Sequence, residues 1–398
     1  MSRCGIAIVV LSAHLASAAV FAAEPGVSAN QIKVGQTTSY SGPASQYGLI
    51  GKVQDAYFRM LNEKGGINGR KIELLSRDDA YSPPKSVEQL RKLVEDDEIA
   101  FMFNSFGGPT NAAQAKYLNR QKIPQLFVGT GAHYWGDVKE YPWSMGWQPS
   151  FRSEARAFAR DAIDKNPSAR IAVLYQNDDF GKDYLLGVKD VLDKQSSAKL
   201  ISEFSYETSA PTIESQFVNV RAANPDVVVL AAVPKFAAQF VRKLVEMNWS
   251  PTVYVTGGAS LVSVTTETVK GRSDLSLYTA TFFKNWNDPN WRQDPSLAEY
   301  FDFMRKYMPG VRDDDFAPVY GYSVAQTLVD VLARCGDDLS RANIMKQASN
   351  VRHLALPLLA PGVVLNTGPD DHFPIEQIQL GKWDGSTWRP EGALISVR

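Results

Sequence analysis

Cysteine and histidine are scarce in this 398-residue chain, with two of the former and four of the latter. Cys4 lies in the N-terminal stretch and Cys335 stands alone in the remainder, which can therefore build neither an internal disulfide nor a thiolate site. His133, His353 and His372 fall in no HExxH or CxxC…H pattern, which argues against structural zinc. A Gly-x-Ser-x-Gly elbow and a GxxxxGK[ST] phosphate loop are both missing. Gly129-Thr130-Gly131 follows a predicted strand but lacks the third glycine of a dinucleotide fingerprint. Asp78-Asp79 and Asp313-Asp314-Asp315 read as solvated or helix-capping acids rather than catalytic ones. No cofactor or metal is implied, and nothing in the pattern argues for an enzyme. An excess of one charge is absent too: 42 basic against 43 acidic residues give a net charge of −1. Such a balance leaves nothing to neutralise a phosphate backbone and argues against nucleic acid as a partner.

The composition is otherwise that of a globular protein, 44% hydrophobic and 21% charged, which excludes wholesale disorder. At roughly 150 residues per domain, the length suggests two to three domains. The first residues have the order of a secretory signal. Arg3 precedes the apolar run Ile6–Leu11, and Val20 and Ala22 suit cleavage after Ala22. Ser12, His14 and Ser17 interrupt that run well short of the roughly 20 apolar residues of a membrane span, and no later run reaches that length. Residues 1–22 are thus expected to be removed on export, leaving a soluble, periplasmic chain.

Short apolar strands alternate with amphipathic helices along the rest. Ile32–Gln36, Lys71–Ser76, Ile99–Phe103 and Gln125–Val128 form one series of predicted strands. Ile171–Tyr175, Lys199–Phe204, Val227–Ala232 and Val253–Thr256 form a second. Leu49, Val53, Ala56, Tyr57 and Met60 mark one helical stripe, and Phe236, Phe240 and Leu244 another. A strand as uniformly apolar as Val227–Ala232 fits a parallel sheet covered by helices on both faces. Two doubly wound α/β units in series follow from pattern alone, and the tail after Ile375 reads as two strands around Asp384-Gly385-Ser386.

In open parallel sheets ligands bind beyond the carboxyl ends of the strands. Four loops there are rich in small residues: Ser105–Gly108, Gly129–Ala132, Phe180-Gly181 and Gly257–Ser260. They read either as tight turns or as backbone donors that, with the helix dipole, favour an anion such as a carboxylate.

Taken together, Ile32-Lys33-Val34-Gly35, Ser41-Gly42-Pro43 with Tyr47-Gly48, Lys64-Gly65-Gly66-Ile67-Asn68-Gly69-Arg70, Asp78-Asp79 with Pro83, Asn177–Gly181 and Tyr320-Gly321-Tyr322 resemble the branched-chain amino-acid-binding family of periplasmic solute receptors of ABC importers. The resemblance implies the type I periplasmic binding protein fold, in which two lobes joined by a three-segment hinge close on a ligand. The crossovers are then expected near Tyr141, Leu275 and Leu356, giving lobe 1 as residues 23–141 plus 277–355 and lobe 2 as 142–276 plus 356–398. It also implies a small-molecule ligand, membrane permease subunits as partners, and a monomer.

Carried over by resemblance, a ligand carboxylate meets Gly107-Gly108 and Gly129, Thr130, Gly131 and Ala132, with Tyr47 at the mouth and Phe180 on the opposing lobe. Gly257-Gly258 replace a Glu that pairs with the ammonium in amino-acid receptors of the family, and Val233 replaces a Tyr. Tyr81 and Phe106 take the positions of the family's frequent disulfide. Burying an ammonium without a carboxylate partner costs several kcal/mol. The expected ligand is therefore a carboxylate without an α-ammonium. Phe106, Tyr134, Trp135, Trp143, Trp147 and Phe151 cluster around these loops and the first crossover, where flat rings stack well, and the resemblance of the Tyr141-Pro142-Trp143 region to some members of the family implies an aromatic acid of the benzoate or hydroxycinnamate type. Trp143 and Trp147 read more readily as hinge packing. Arg152 is a candidate carboxylate partner or an exposed helix-start residue, and Tyr320 completes the candidate set. The rival readings are an aliphatic amino acid, amide or short fatty acid as cargo, a sensor without transport, and an exported α/β hydrolase.

Overall fold

The computed structural model describes residues 24–192, 197–285 and 289–397, so the expected signal segment lies outside the described residues. Two sheets organise the chain. The first contains β1 (Gln31–Thr38), β2 (Lys71–Asp78), β3 (Phe101–Phe103) and β4 (Gln125–Leu126), all parallel, in the order β2-β1-β3-β4. Helices α1 (Gly48–Glu63), α2 (Pro83–Arg91) and α3 (Gly108–Gln121) make its crossovers. The second sheet has the order β11-β10-β9-β8-β7-β5-β6. Its parallel strands are β5 (Arg170–Gln176), β6 (Lys199–Tyr206), β7 (Val227–Ala231), β8 (Thr252–Val255) and β9 (Leu277–Thr281). The antiparallel hairpin of β10 (Gln377–Trp383) and β11 (Trp388–Ser396) extends it from the β9 edge. The hairpin turns where expected, with Gly385 at φ 97°.

Helices α4 (Phe151–Lys165), α5 (Asp179–Leu192), α6 (Glu214–Ala222) and α7 (Pro234–Glu246) cover the second sheet, followed by the single turns α8 (Gly257–Ser260), α9 (Ser263–Thr266) and α10 (Pro289–Arg292). Every residue of β7 is buried, as a strand covered on both faces requires. Three later helices, α11 (Ala298–Tyr307), α12 (Phe316–Cys335) and α13 (Arg341–Ala348), return to the first lobe, where α11 and α12 pack on α1 and α13 on α12. Cys335 is buried in α12 with its Sγ on the Val331 carbonyl, and burial pushes its thiol up to about 12.

The chain passes between the two sheets three times, at places that differ from the expected ones. Met145 N–H donates to the Gln125 carbonyl, so the chain stays beside the first sheet past Tyr141. β9 lies inside the second sheet, so residues 277–281 belong there and the crossing follows Thr281 rather than Leu275. Residues 356–374 lie beside the first lobe instead of the second. Thr367 bonds to Val351 and to the Ala348 carbonyl, and His372 Nδ1 meets the Ser144 carbonyl at 2.8 Å. The third crossing therefore comes just before β10.

Candidate functional site

In both sheets the strand order reverses beside the first strand of its series, opening a crevice between β1 and β3 and another between β5 and β7. These crevices face each other across the lobes and line one cavity between them. From the first lobe the wall takes Tyr47, which precedes α1, Tyr81, and Phe106-Gly107-Gly108 between β3 and α3. Gly129 and Thr130 after β4 and Phe316 at the start of α12 complete that side. From the second come Gln148, Phe151, Phe180, Val233, Thr256 and Gly258.

Six aromatic rings dominate the cavity. Tyr47 stacks on Phe106 with centroids 4.4 Å apart and meets the edge of Phe316 at 6.5 Å, while Phe151 and Phe180 cross at 4.9 Å. Among the described residues that line it, none is Lys, Arg, His, Asp or Glu. Burial raises the pKa of Tyr47 and of Tyr81, so both phenols stay protonated.

The donors are fewer than the glycine loops suggest. Gly107 N–H is spent on the Gly129 carbonyl at 3.2 Å, Gly129 N–H on Ser105 at 2.8 Å, and Thr130 N–H on Val128 at 2.8 Å. On the first-lobe side Gly108 N–H, at the positive end of α3, and the Thr130 hydroxyl remain for a ligand, and Gln148 and Gly258 line the wall from the other side. Thr130 Oγ1 lies 3.7 Å from where a Cβ on Gly108 would stand, so the two share one corner. Gly107 itself sits at φ 104°, and a Cβ there would meet the Tyr81 ring at 2.7 Å; only glycine fits both demands.

The remaining sequence candidates lie outside the cavity lining. Gly131 gives its carbonyl to Phe151 N–H at 2.7 Å, and Ala132 packs against Trp135 in the core. Trp147 is fully buried, with its indole N–H on Thr327 Oγ1 at 3.0 Å and its face on the edge of Tyr320. Phe282 and Phe283 on the second crossing also pack on it, so Trp147 belongs to the hinge. Tyr320 is buried behind the wall, its oxygen accepting from Asn104 Nδ2 at 3.3 Å. Arg152 turns away and grips Asp190 through two 2.7 Å bonds, which hold that carboxyl down at about 2.

Gly257 requires a larger correction. Its N–H donates to Glu154 Oε1 at 2.9 Å, so an acidic side chain from α4 lies directly behind the loop that was expected to have none. Burial pushes this carboxyl up to about 7. Glu154 faces the backbone of Gly257 and is not part of the cavity wall. Sequence reasoning missed Tyr81, Gln148, Thr256 and Phe316 as wall residues. Thr256 immediately follows β8 and was findable by the strand-end rule, whereas Phe316 carries no local signal.

The lobes touch around this cavity. Tyr47 Oη donates to the Gly258 carbonyl at 3.1 Å, and Gln176 Nε2 donates to Tyr81 Oη at 3.4 Å. At the rim His133 N–H donates to Asp183 Oδ2 at 2.7 Å and its Nδ1 meets Oδ1 at 2.5 Å. A cavity closed by two lobes, lined by rings and without a reactive constellation, is built to hold a molecule. Residues 31–387 match the model of the periplasmic binding protein family.

The chain belongs to that family. Among its relatives, the Leu/Ile/Val-binding protein homolog 7 of Brucella abortus (strain 2308) is 22% identical over 311 residues, covering 74% of this chain and 75% of that one. A branched-chain amino acid ABC transporter protein from Thermus thermophilus, solved with bound valine, superposes with a TM-score of 0.81 at 14% identity, over 92% and 97% of the two chains. The solute-binding protein of an ABC transporter from Rhodopseudomonas palustris BisB5, solved with 3,4-dihydroxybenzoic acid, gives 0.76 at 17% identity, over 92% and 98%. The chain thus has the family and the fold of an extracytoplasmic solute-binding receptor. No helix among the described residues is long and apolar enough to cross a membrane.

Proposed function

We propose that this receptor binds a small aromatic carboxylate between its lobes and, as a monomer, presents the closed form to the permease of an importer. The observation that carries the reading is the cavity wall: six aromatic rings, no charged side chain, and one corner shared by Gly108 and the Thr130 hydroxyl. Hydrogen bonds to a charged acceptor contribute about 1.5–3 kcal/mol each. With ring stacking adding roughly 0.5–1.5 kcal/mol per pair beyond its buried area, a micromolar affinity of about −8 kcal/mol is within reach. Tyr47, Phe106, Gly129, Phe151, Phe180, Val233 and Gly258 frame the ligand in this reading. A ligand touching both lobes favours closure by its differential affinity for the closed state. The dihydroxybenzoic acid in the Rhodopseudomonas protein supports the choice of ligand class.

Glu154 favours a second reading, a branched-chain amino acid such as the valine of the Thermus protein. Its carboxylate would have to leave the Gly257 amide to meet an ammonium. A thermal-shift panel separates the two. Benzoate or a hydroxycinnamate is expected to raise Tm, since a ligand at a hundredfold excess over Kd adds about 2.7 kcal/mol. A shift with leucine and none with any aromatic acid overturns the reading.

A further inference from the structure

Three polar side chains run in a row from the interior of the second lobe to the cavity. Glu154, on α4, accepts the Gly257 amide proton at 2.9 Å. The fully buried Tyr184, on α5, interacts with the Glu154 carboxylate and holds its own hydroxyl 2.6 Å from Thr256 Oγ1. Thr256, at the end of β8, is part of the cavity wall.

The row has a direction. An ionised carboxylate can only accept, so Tyr184 donates its hydrogen bond to Glu154 and keeps its proton. The phenol oxygen then accepts from the Thr256 hydroxyl, and the lone pairs left on Oγ1 are what Thr256 offers the ligand. Hydrogen bonds chained in this way polarise one another, which makes the last oxygen a better acceptor. Across the cavity the polarity is opposite, because Gly108 N–H and the Thr130 hydroxyl are donors. A molecule with an anionic end and a donor end satisfies both lobes at once.

We propose that Thr256 is a specificity-determining residue that accepts a hydroxyl proton from the ring of the ligand, with Glu154 and Tyr184 as positioning residues that keep it an acceptor. The preferred cargo is then a hydroxy-substituted aromatic acid. This inference rests on the aromatic-carboxylate reading above and narrows it. Glu154 is faced by the Gly257 amide and the Tyr184 hydroxyl, and burial keeps it half-protonated near neutrality, at about 7. Below that pH the protonated acid donates to Tyr184, the row reverses, and Thr256 offers a proton instead of lone pairs.

Titration calorimetry with benzoate, 3- and 4-hydroxybenzoate and their methyl ethers tests this. At about pH 8.5, one hydroxybenzoate is expected to bind at least about tenfold more tightly than its methyl ether, the worth of one satisfied hydrogen bond. The ratio is expected to narrow toward pH 5.5, where Glu154 is protonated. It should collapse toward unity in Thr256→Val and survive in Thr256→Ser. Glu154→Gln should hold it near unity at every pH, because an amide held by Gly257 N–H turns its NH2 toward Tyr184 and leaves Thr256 a donor, which a hydroxyl and an ether oxygen accept alike. A wild-type ratio near unity, or a ratio intact in folded Thr256→Val, overturns the role of Thr256 while leaving the ligand class standing. Binding of leucine with no binding of any of these acids overturns the ligand class itself.

Discussion

At the scale of single residues, the cavity distinguishes side chains that face the ligand from neighbours that hold the wall. Thr130 faces it, and Thr130→Val removes one of the two donors in the carboxylate corner without changing the volume there. The expected result is about a tenfold to hundredfold weaker Kd for an aromatic acid, measured by calorimetry, at nearly constant Tm. Arg152 holds the wall. Because it is committed to Asp190 on α5, Arg152→Ala is expected to lower Tm slightly and leave Kd within about twofold, since partly exposed ion pairs contribute little. Phe151 and Arg152 are adjacent in sequence, but one step along a helix turns a side chain by 100°, which carries the first into the cavity and the second out of it. Without that rotation in view, both stood among the candidates read from the sequence. Trp147 misled for a different reason: an aromatic ring fills a hinge as readily as a binding site, and only its tertiary neighbours Tyr320 and Phe282 decide between them.

At the scale of elements, the rim contact between His133, in the turn after β4, and Asp183 on α5 ties the lobes directly. The hydrogen bond and charge of Asp183 raise the His133 pKa, with Asp179 adding to this and burial and Arg152 opposing it. The group is raised in the closed form, so its contribution to closure is fully present below the ordinary histidine value of about 6.5. It is lost as pH climbs through the raised value. Ligand affinity should therefore fall with rising pH in the wild type and lose that dependence in His133→Ala. Kd measured across that window checks it, and a flat wild-type profile would speak against the latch. The elements themselves were largely legible. The alternation of apolar strands and striped helices reports local burial, which period and length encode, and all eight strands predicted in the two series are present. The crossings were not legible. They are fixed by contacts such as Phe283 with Leu359 and His372 with Ser144, distant in sequence and bearing no local signature. Phe316 reaches the cavity in the same way, on a helix far along the chain from Tyr47.

For the whole molecule, the structure is that of a receptor with its lobes in contact. The Tyr47–Gly258 and Tyr81–Gln176 bonds join the lobes beside the cavity. Such closure removes water from whatever lies inside, so the charges of the ligand must be met by the wall itself. In the proposed reading the wall meets an anion at Gly108 and Thr130; it presents no carboxylate to a cation, and Glu154 remains behind the loop on the Gly257 amide. The glycines of that loop were visible in the sequence. Glu154 was not, because it comes from another helix and reaches Gly257 only through packing. The most direct measurement compares 3-phenylpropanoate with phenylalanine, which share a carbon skeleton and a carboxylate and differ by the α-ammonium alone. Titration of both into the receptor is expected to show the propanoate at least about a hundredfold tighter, since an unpaired buried ammonium costs several kcal/mol. Equal or tighter binding of phenylalanine would contradict the account and assign Glu154 to the ligand.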